Sequence, residues 1–236
     1  MSSPIDPQSA VVLFSGGQDS TTCLYWALQR FRNVHAVIFD YGQRHRIEIA
    51  QAQAIAQAAK VPSVVLQVPA LQTVGGSSLT DTALALPQTT EVGSQLPNTF
   101  VPGRNLLFFT LAGGYAYLHG VPNLVGGMNQ TDYSGYPDCR QPFIDAAQQS
   151  LSLAMDYPFS IHTPLMNLDK AAIWKLAADL GCLEVVIKQS HTCYAGDRTT
   201  LHPWGYGCGT CAACQLRRAG FEQAFDKKAP TAAGPA

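Results

Sequence analysis

Residues 13–21 read Leu13-Phe14-Ser15-Gly16-Gly17-Gln18-Asp19-Ser20-Thr21, directly after the apolar run Ala10-Val11-Val12. Helix-spaced apolar residues follow. A buried strand that runs into glycines and then into a helix start makes an anion site. Glycines let the backbone wrap closely, and the first N–H groups of the helix point at the ligand. Ser15 and Ser20 add hydroxyl donors. Asp19 stands apart, because a carboxylate beside phosphate is repulsive unless a divalent cation lies between them. The stretch lacks the Gly-Lys-Ser/Thr ending of a Walker loop and the spacing of a dinucleotide fingerprint. A plain strand-to-helix turn with polar capping shares its local pattern, so the motif needs support from the rest of the chain.

That support begins with alternation. Ala10–Phe14, Val34–Phe39 and Ser63–Val68 read as apolar strands. Between them, Thr21–Phe31 and the Ala-rich Ile47–Ala59 carry apolar residues at helical spacing. Strand–helix–strand–helix–strand predicts parallel pairing and a doubly wound α/β sheet, with ligand at the carboxyl ends of the strands. Leu106–His119, Pro142–Met155 and Asp169–Leu180 read as further helices, and Leu124–Gly127 as a short strand. Residues 72–103 are rich in Gly, Ser, Thr and Pro, and are expected to form a flap that orders on binding or an interface loop. The tail from Lys227 is Pro/Ala/Thr-rich and expected to fray. The expected division is an α/β domain over 10–185, a cysteine-bearing region over 186–226 and a tail over 227–236.

Composition narrows the function. The 236 residues carry a formal net charge of -1, which gives no electrostatic case for nucleic acid or an anionic membrane. No apolar stretch reaches the ~18–20 residues of a membrane span, and the polar start Met1–Ser9 lacks a signal-peptide core. A cytoplasmic location is the expectation. Seven cysteines, an odd number, argue for thiols or metal ligands over a disulfide framework.

Four cysteines gather near the end. Cys208-Gly209-Thr210-Cys211-Ala212-Ala213-Cys214 is C-x-x-C-x-x-C, and Cys193 lies upstream. Four thiolates make a closed tetrahedral zinc site with no position left for water. Iron–sulfur ligation is the rival, but its usual fourth Cys followed by Pro is absent. His191 and His202 are spare candidates in the surroundings of the metal.

Three further segments offer chemistry. Asp132-Tyr133-Ser134-Gly135-Tyr136-Pro137-Asp138 sets two carboxylates and two aromatic faces just beyond a strand. An aromatic face stacks on a flat heterocycle, and a carboxylate accepts paired N–H donors from a guanine-like edge. A tight surface turn with capping aspartates has the same composition. Arg104 in Val101-Pro102-Gly103-Arg104-Asn105 sits at a helix start, where it suits phosphate or carboxylate; a structural salt bridge is the alternative. Lys170 opens another helix, a poor position for a cation unless an anion is near, and so is a candidate phosphate contact.

These motifs occur in one order: Phe14–Leu24, Asp40-Tyr41-Gly42-Gln43-Arg44-His45, Phe100–Asn105, Thr131–Arg140, Thr163-Pro164-Leu165-Met166 and the terminal cysteines. The first resembles the pyrophosphate loop of N-type ATP pyrophosphatases. Together they closely resemble the 7-cyano-7-deazaguanine synthase family of queuosine biosynthesis, over roughly residues 10–225. The resemblance implies an adenine nucleotide alpha hydrolase-like sheet with a small C-terminal zinc-binding subdomain. It implies that a 7-carboxy-7-deazaguanine carboxylate is activated with ATP, aminated by ammonia and converted to the nitrile by a second activation. It further implies Mg-ATP, a structural zinc and a homodimer, with no direct role for nucleic acid. Carried onto this chain, Phe14, Ser15, Gly16, Gly17, Gln18, Asp19, Ser20, Thr21, Thr22, Cys23 and Leu24 would hold ATP. Asp132, Tyr133, Tyr136 and Asp138 would hold the deazapurine. Asp19, Arg104 and Lys170 would serve catalysis, and Cys193, Cys208, Cys211 and Cys214 would bind zinc. A ligase that passes the activated carboxylate to another amine, and a non-catalytic zinc-stabilised nucleotide-binding module, fit the same residues. Two departures stand out: Asn129-Gln130 replaces a Cys-Glu pair, and the interval from Cys193 to Cys208 is longer than the compact form of the motif.

Overall fold

A computed structural model describes residues 3–87, 96–130 and 135–225. Five strands form one parallel sheet: β1 (Ser9–Leu13), β2 (Asn33–Asp40), β3 (Ser63–Gln67), β4 (Asn123–Val125) and β5 (Ser160–His162). Their spatial order is β3-β2-β1-β4-β5. Ala10 pairs with both Val34 and Asn123, so β1 is central. Every residue of β1 is buried, as a strand covered on both faces requires. Side chains alternate between the two faces, with period two. Val11, Leu13, Val37 and Phe39 face one core; Ala10, Val12, Phe14, Ala36 and Ile38 face the other.

Helices α4 (Arg104–Leu118) and α5 (Gln141–Met155) pack on the first face, joined by the short α3 (Ala70–Val74). Helices α1 (Gln18–Leu28), α2 (Ile47–Ala58) and α6 (Lys170–Asp179) cover the second. This is the expected doubly wound architecture. The first helix starts at Gln18 rather than Thr21, because the chain turns as soon as Gly17 ends the loop. The edge strand β5 is three residues long and too short to show a period.

The cysteine region builds a third core. Helix α7 (Leu183–Lys188), the hairpin β6 (Leu201–His202) and β7 (Gly205–Tyr206), and α8 (Ala212–Phe225) enclose Cys193, Cys211 and Cys214 together with Trp174 and Trp204. Trp174 belongs to α6, so this core is continuous with a helix of the sheet domain. Residues 75–87 and 96–103 lack regular structure but are tied down. Ser77, Ser78 and Thr99 are buried, and the Ser78 N–H donates to the Asn98 carbonyl at 2.8 Å. The expected fraying of the C-terminal tail concerns residues outside those described.

Candidate active site

The strand order reverses between β1 and β4, and there a cavity of about 310 Å³ opens. Such switch points are where open α/β sheets bind ligands. The glycine-rich turn after β1 forms its floor. Gly16 has φ +76°, and a Cβ there would meet the Ala52 backbone nitrogen at 2.8 Å, so α2 closes on the turn only because position 16 is glycine. The Ser15 and Ser20 hydroxyls lie 3.0 Å apart, and Ser20 Oγ accepts the Ser15 N–H at 3.2 Å. Gly17 caps α1 without a side-chain cap, which leaves the dipole end of the helix to a ligand.

Phe14, Ser15, Gly17, Asp19 and Ser20 line the cavity. Thr21, Thr22, Cys23 and Leu24, expected to bind ATP, are fully buried in α1 instead. Thr22 Oγ1 donates to the Gln18 carbonyl, and Cys23 Sγ donates to the Gly126 carbonyl beyond β4. These four support the loop from inside. Gln18 is likewise buried, and Gly16 is covered by α2.

Asp19 and Lys170 meet: Lys170 Nζ donates to Asp19 Oδ2 at 2.7 Å. This accounts for a cation in the first turn of α6. Asp169 caps that helix through the Ala172 N–H at 2.7 Å, and Lys170 turns to the neighbouring carboxylate. Asp19 lies on the cavity wall, whereas Lys170 stands behind it.

Opposite the loop, Arg104 enters from the start of α4, after Gly103 at φ +73°. Its guanidinium lies 6.0 Å from the Tyr41 ring centre. Asp138 is 8% exposed. Its Oδ2 accepts the Asn105 N–H at 3.3 Å, and its buried Oδ1 has no hydrogen-bond partner among the described residues. Burial pushes the Asp138 carboxyl up, and Arg104 opposes that shift. Tyr136 lines the cavity and shares a 2.5 Å hydrogen bond with Thr99. Asp132 and Tyr133 lie outside the described residues. Gln130 is exposed and donates to Asn167 Oδ1 at 2.7 Å, a contact between loops.

The wall also holds Tyr41 of the Asp40–His45 motif and His191, a spare candidate for the surroundings of the metal, together with Glu48, Phe108, Met128 and Thr192, which no motif singled out. Burial pushes the Glu48 carboxyl up to about 7, against the pull of Arg104. Its signal in the sequence was faint, since a Glu in the first turn of a helix is ordinary capping chemistry. His191 is 1% exposed, and neither of its ring nitrogens has a hydrogen-bond partner among the described residues.

The four expected metal ligands converge. The sulfurs of Cys193, Cys208, Cys211 and Cys214 all lie within 4.8 Å of one another. A tetrahedral Cys₄ site with metal–sulfur bonds of ~2.3 Å needs sulfur separations of about 3.8 Å. The donor set therefore fits a closed structural metal. The Cys208 N–H points at Cys193 Sγ at 3.4 Å and the Cys211 N–H at Cys208 Sγ at 3.3 Å, contacts that favour thiolates. A Cβ on Gly207 would sit 2.6 Å from Cys214 Sγ, so glycine is needed there. The long interval between Cys193 and Cys208 is the β6–β7 hairpin, where His202 stacks on Trp204 and pairs with the Gly207 carbonyl at 3.0 Å. His202 thus braces the metal loop.

Comparison with known proteins agrees with this geometry. A family model described as queuosine biosynthesis protein QueC matches residues 9–225. A 7-cyano-7-deazaguanine synthase of Bradyrhizobium sp. is 50% identical over 91% of this chain and 94% of its own length. One from Acidovorax sp. (strain JS42) is 49% identical over 94% of this chain and 95% of its own. A solved 4-thiouridine synthetase–RNA complex with bound ATP shares the fold at a TM-score of 0.50 and 17% identity, over 92% of this chain and 50% of that one. The family match begins at the first residue of β1 and ends at the last of α8. The chain belongs to the QueC family of queuosine biosynthesis proteins.

Proposed function

We propose that the chain is an ATP-dependent carbon–nitrogen ligase, a 7-cyano-7-deazaguanine synthase. It converts 7-carboxy-7-deazaguanine and ammonia to 7-cyano-7-deazaguanine through an adenylated carboxylate and an amide. One observation carries this: the anion-binding turn after β1 lines one cavity at the switch point with Arg104 and Tyr136, and Asp138 acts on Arg104 from behind that wall. Relatives at about half identity are named for this activity.

A carboxylate resists ammonia because its oxygen is a very poor leaving group. Its attack on the α-phosphorus of ATP, with loss of pyrophosphate, makes a mixed anhydride. Ammonia then displaces AMP and gives the amide. Adenylation of the amide oxygen, with loss of the nitrogen protons and AMP, gives the nitrile. Ser15, Gly17 and Ser20 hold the phosphates, and Arg104 meets the charge that develops as the leaving groups depart. Asp19, fixed by Lys170, would hold a magnesium ion that neutralises phosphate charge. Asp138 accepts N–H donors of the flat base, with Tyr136 against it and Asp132 and Tyr133 in the adjoining turn. The anhydride must be kept from water, and Leu79, from the described part of the 72–103 segment, lines the cavity.

The cysteine group holds zinc, which ties α8 to the sheet domain and takes no part in the chemistry. Residues 10–185 then form the nucleotide domain and 186–226 its metal-bound extension. Exposed leucines on α4 and α5, among them Leu118 and Leu153, offer a face for a homodimer. No helix among the described residues is long and apolar enough to cross a membrane, consistent with work on small molecules in the cytoplasm.

Mass analysis of products from ATP, ammonium and 7-carboxy-7-deazaguanine tests this. The nitrile and pyrophosphate are expected. Pyrophosphate with an adduct to some other amine, or ATP binding without turnover, would overturn it.

A further inference from the structure

We propose that Thr192 is a pyrophosphate-binding residue whose hydroxyl the buried Arg217 forces to donate, so that the cysteine lobe completes the phosphate site. The inference deepens the ATP-dependent function above and rests on it.

A threonine hydroxyl has one proton to give and two lone pairs to accept with. Thr192 Oγ1 accepts from Arg217 Nη1 at 2.9 Å and from the Gln18 N–H at 3.4 Å. Both lone pairs are used, so the hydroxyl proton has to point elsewhere. Thr192 lines the cavity, and no acceptor among the described residues receives that proton. A donor aimed into a cavity beside a phosphate loop suits an anion.

The placement is close. A Cβ built on Gly17, the residue that caps α1, would lie 3.4 Å from Ser15 Oγ and 3.8 Å from Thr192 Oγ1. The two hydroxyls therefore flank the point where the free N–H groups of α1 emerge. The neighbouring His191 N–H donates to the Gly16 carbonyl at 2.9 Å, which docks this segment of the lobe onto the loop.

Arg217 supplies the charge. It is 1% exposed on α8, and its other donors go to the carbonyls of Trp204 and Val186 at 2.8 and 2.7 Å. Its acceptors are all neutral, and among the described residues no carboxylate pairs with it. Burial lowers its pKa to about 10, so it remains a cation at neutral pH. Asp19 and Cys214 act on it through charge alone, with no direct ion pair, and an anionic ligand one hydroxyl away offsets more of the cost of burying the cation. Arg217 is a positioning residue that acts through Thr192.

The test is calorimetric titration of magnesium pyrophosphate, and of 7-carboxy-7-deazaguanine, into the metal-replete full chain. Thr192→Val should weaken pyrophosphate about tenfold, the loss of one charge-assisted hydrogen bond, and leave affinity for the acid and metal content unchanged. Thr192→Ser should restore binding. In the unaltered chain, pyrophosphate should slow amide exchange at residues 190–193 as well as at 15–20, a readout that stands even if Thr192→Val does not fold. Protection confined to 15–20, or Thr192→Val binding pyrophosphate as tightly as the parent, overturns the proposal and leaves the ATP-dependent function standing. A parent chain that binds neither pyrophosphate nor ATP brings down both.

Discussion

Two glycine-rich turns lead into helices in this molecule, one at Ser15–Gly17 into α1 and one at Cys208–Cys211 into α8. They manage their backbone donors in opposite ways. At the first, the N-cap Gly17 offers no side chain, only Thr192 Oγ1 reaches the first N–H of the helix, and serine hydroxyls stand around an open cavity. At the second, the N–H groups of Cys208 and Cys211 point inward at sulfur, and the sulfurs of the group are mostly buried. An open set of donors suits an anion that comes and goes. A closed set with four thiolates suits a resident cation. The same local geometry thus suits a passing anion in one place and a resident cation in the other, and the accompanying side chains decide which.

The contrast breaks most readily at the metal. Strong chelation, or Cys211→Ser, should cost the lobe its fold, because binding free energy at a structural site is folding free energy. Loss of the cooperative thermal transition of α8 and its surroundings, followed by circular dichroism, is the expected result. A well-folded, metal-free chain would show that the second turn is not closed around a metal. Asp19→Asn comes next. It keeps the size of the side chain and removes the charge beside Lys170, so kcat should fall about a thousandfold, with ATP affinity by calorimetry changed far less. Near-normal turnover at limiting magnesium would remove Asp19 from the open site.

Asp138→Asn sharpens the opposite wall of the cavity. Asparagine still accepts from the Asn105 N–H but offers a mismatched amide to the base, so KM for the acid should rise roughly tenfold, with ATP binding unchanged. Equal losses for both ligands would make the residue a helix cap alone. Glu48→Gln should have the smallest effect. The folded-state carboxyl titrates at about 7 against an ordinary 4.5. Between those values the native chain holds a proton that the unfolded chain has released, so stability falls as pH rises through the window. The glutamine variant should gain several degrees in Tm at pH 8.5 and nothing at pH 4. An equal change at both pH values would mean that packing, not ionisation, sets the effect.

Much of this was legible in the chain itself. The buried run before Ser15, the helix-spaced segments and the C-x-x-C-x-x-C spacing each follow from local rules of period and ligand geometry. The four sulfurs converge as that spacing requires. The contiguous stretch Phe14–Leu24 was less telling at its end. Once α1 begins, a residue's depth depends on which side of the helix meets the sheet, and Thr21–Leu24 turn inward. Thr192 and Arg217 carry no motif in the sequence. They sit far from residue 18 in the chain, and only tertiary packing of the lobe against α1 makes them neighbours. The hairpin between Cys193 and Cys208 has strands of two residues, below the length at which alternation is visible.

The central claim is that the open turn serves transfer of AMP to the acid. Supplying 7-carboxy-7-deazaguanine labelled with ¹⁸O in both carboxyl oxygens tests it directly. AMP recovered from a complete reaction should carry ¹⁸O, with pyrophosphate unlabelled, because the acid's own oxygen leaves on the α-phosphorus. Unlabelled AMP, or label in inorganic phosphate alongside ADP, would contradict it.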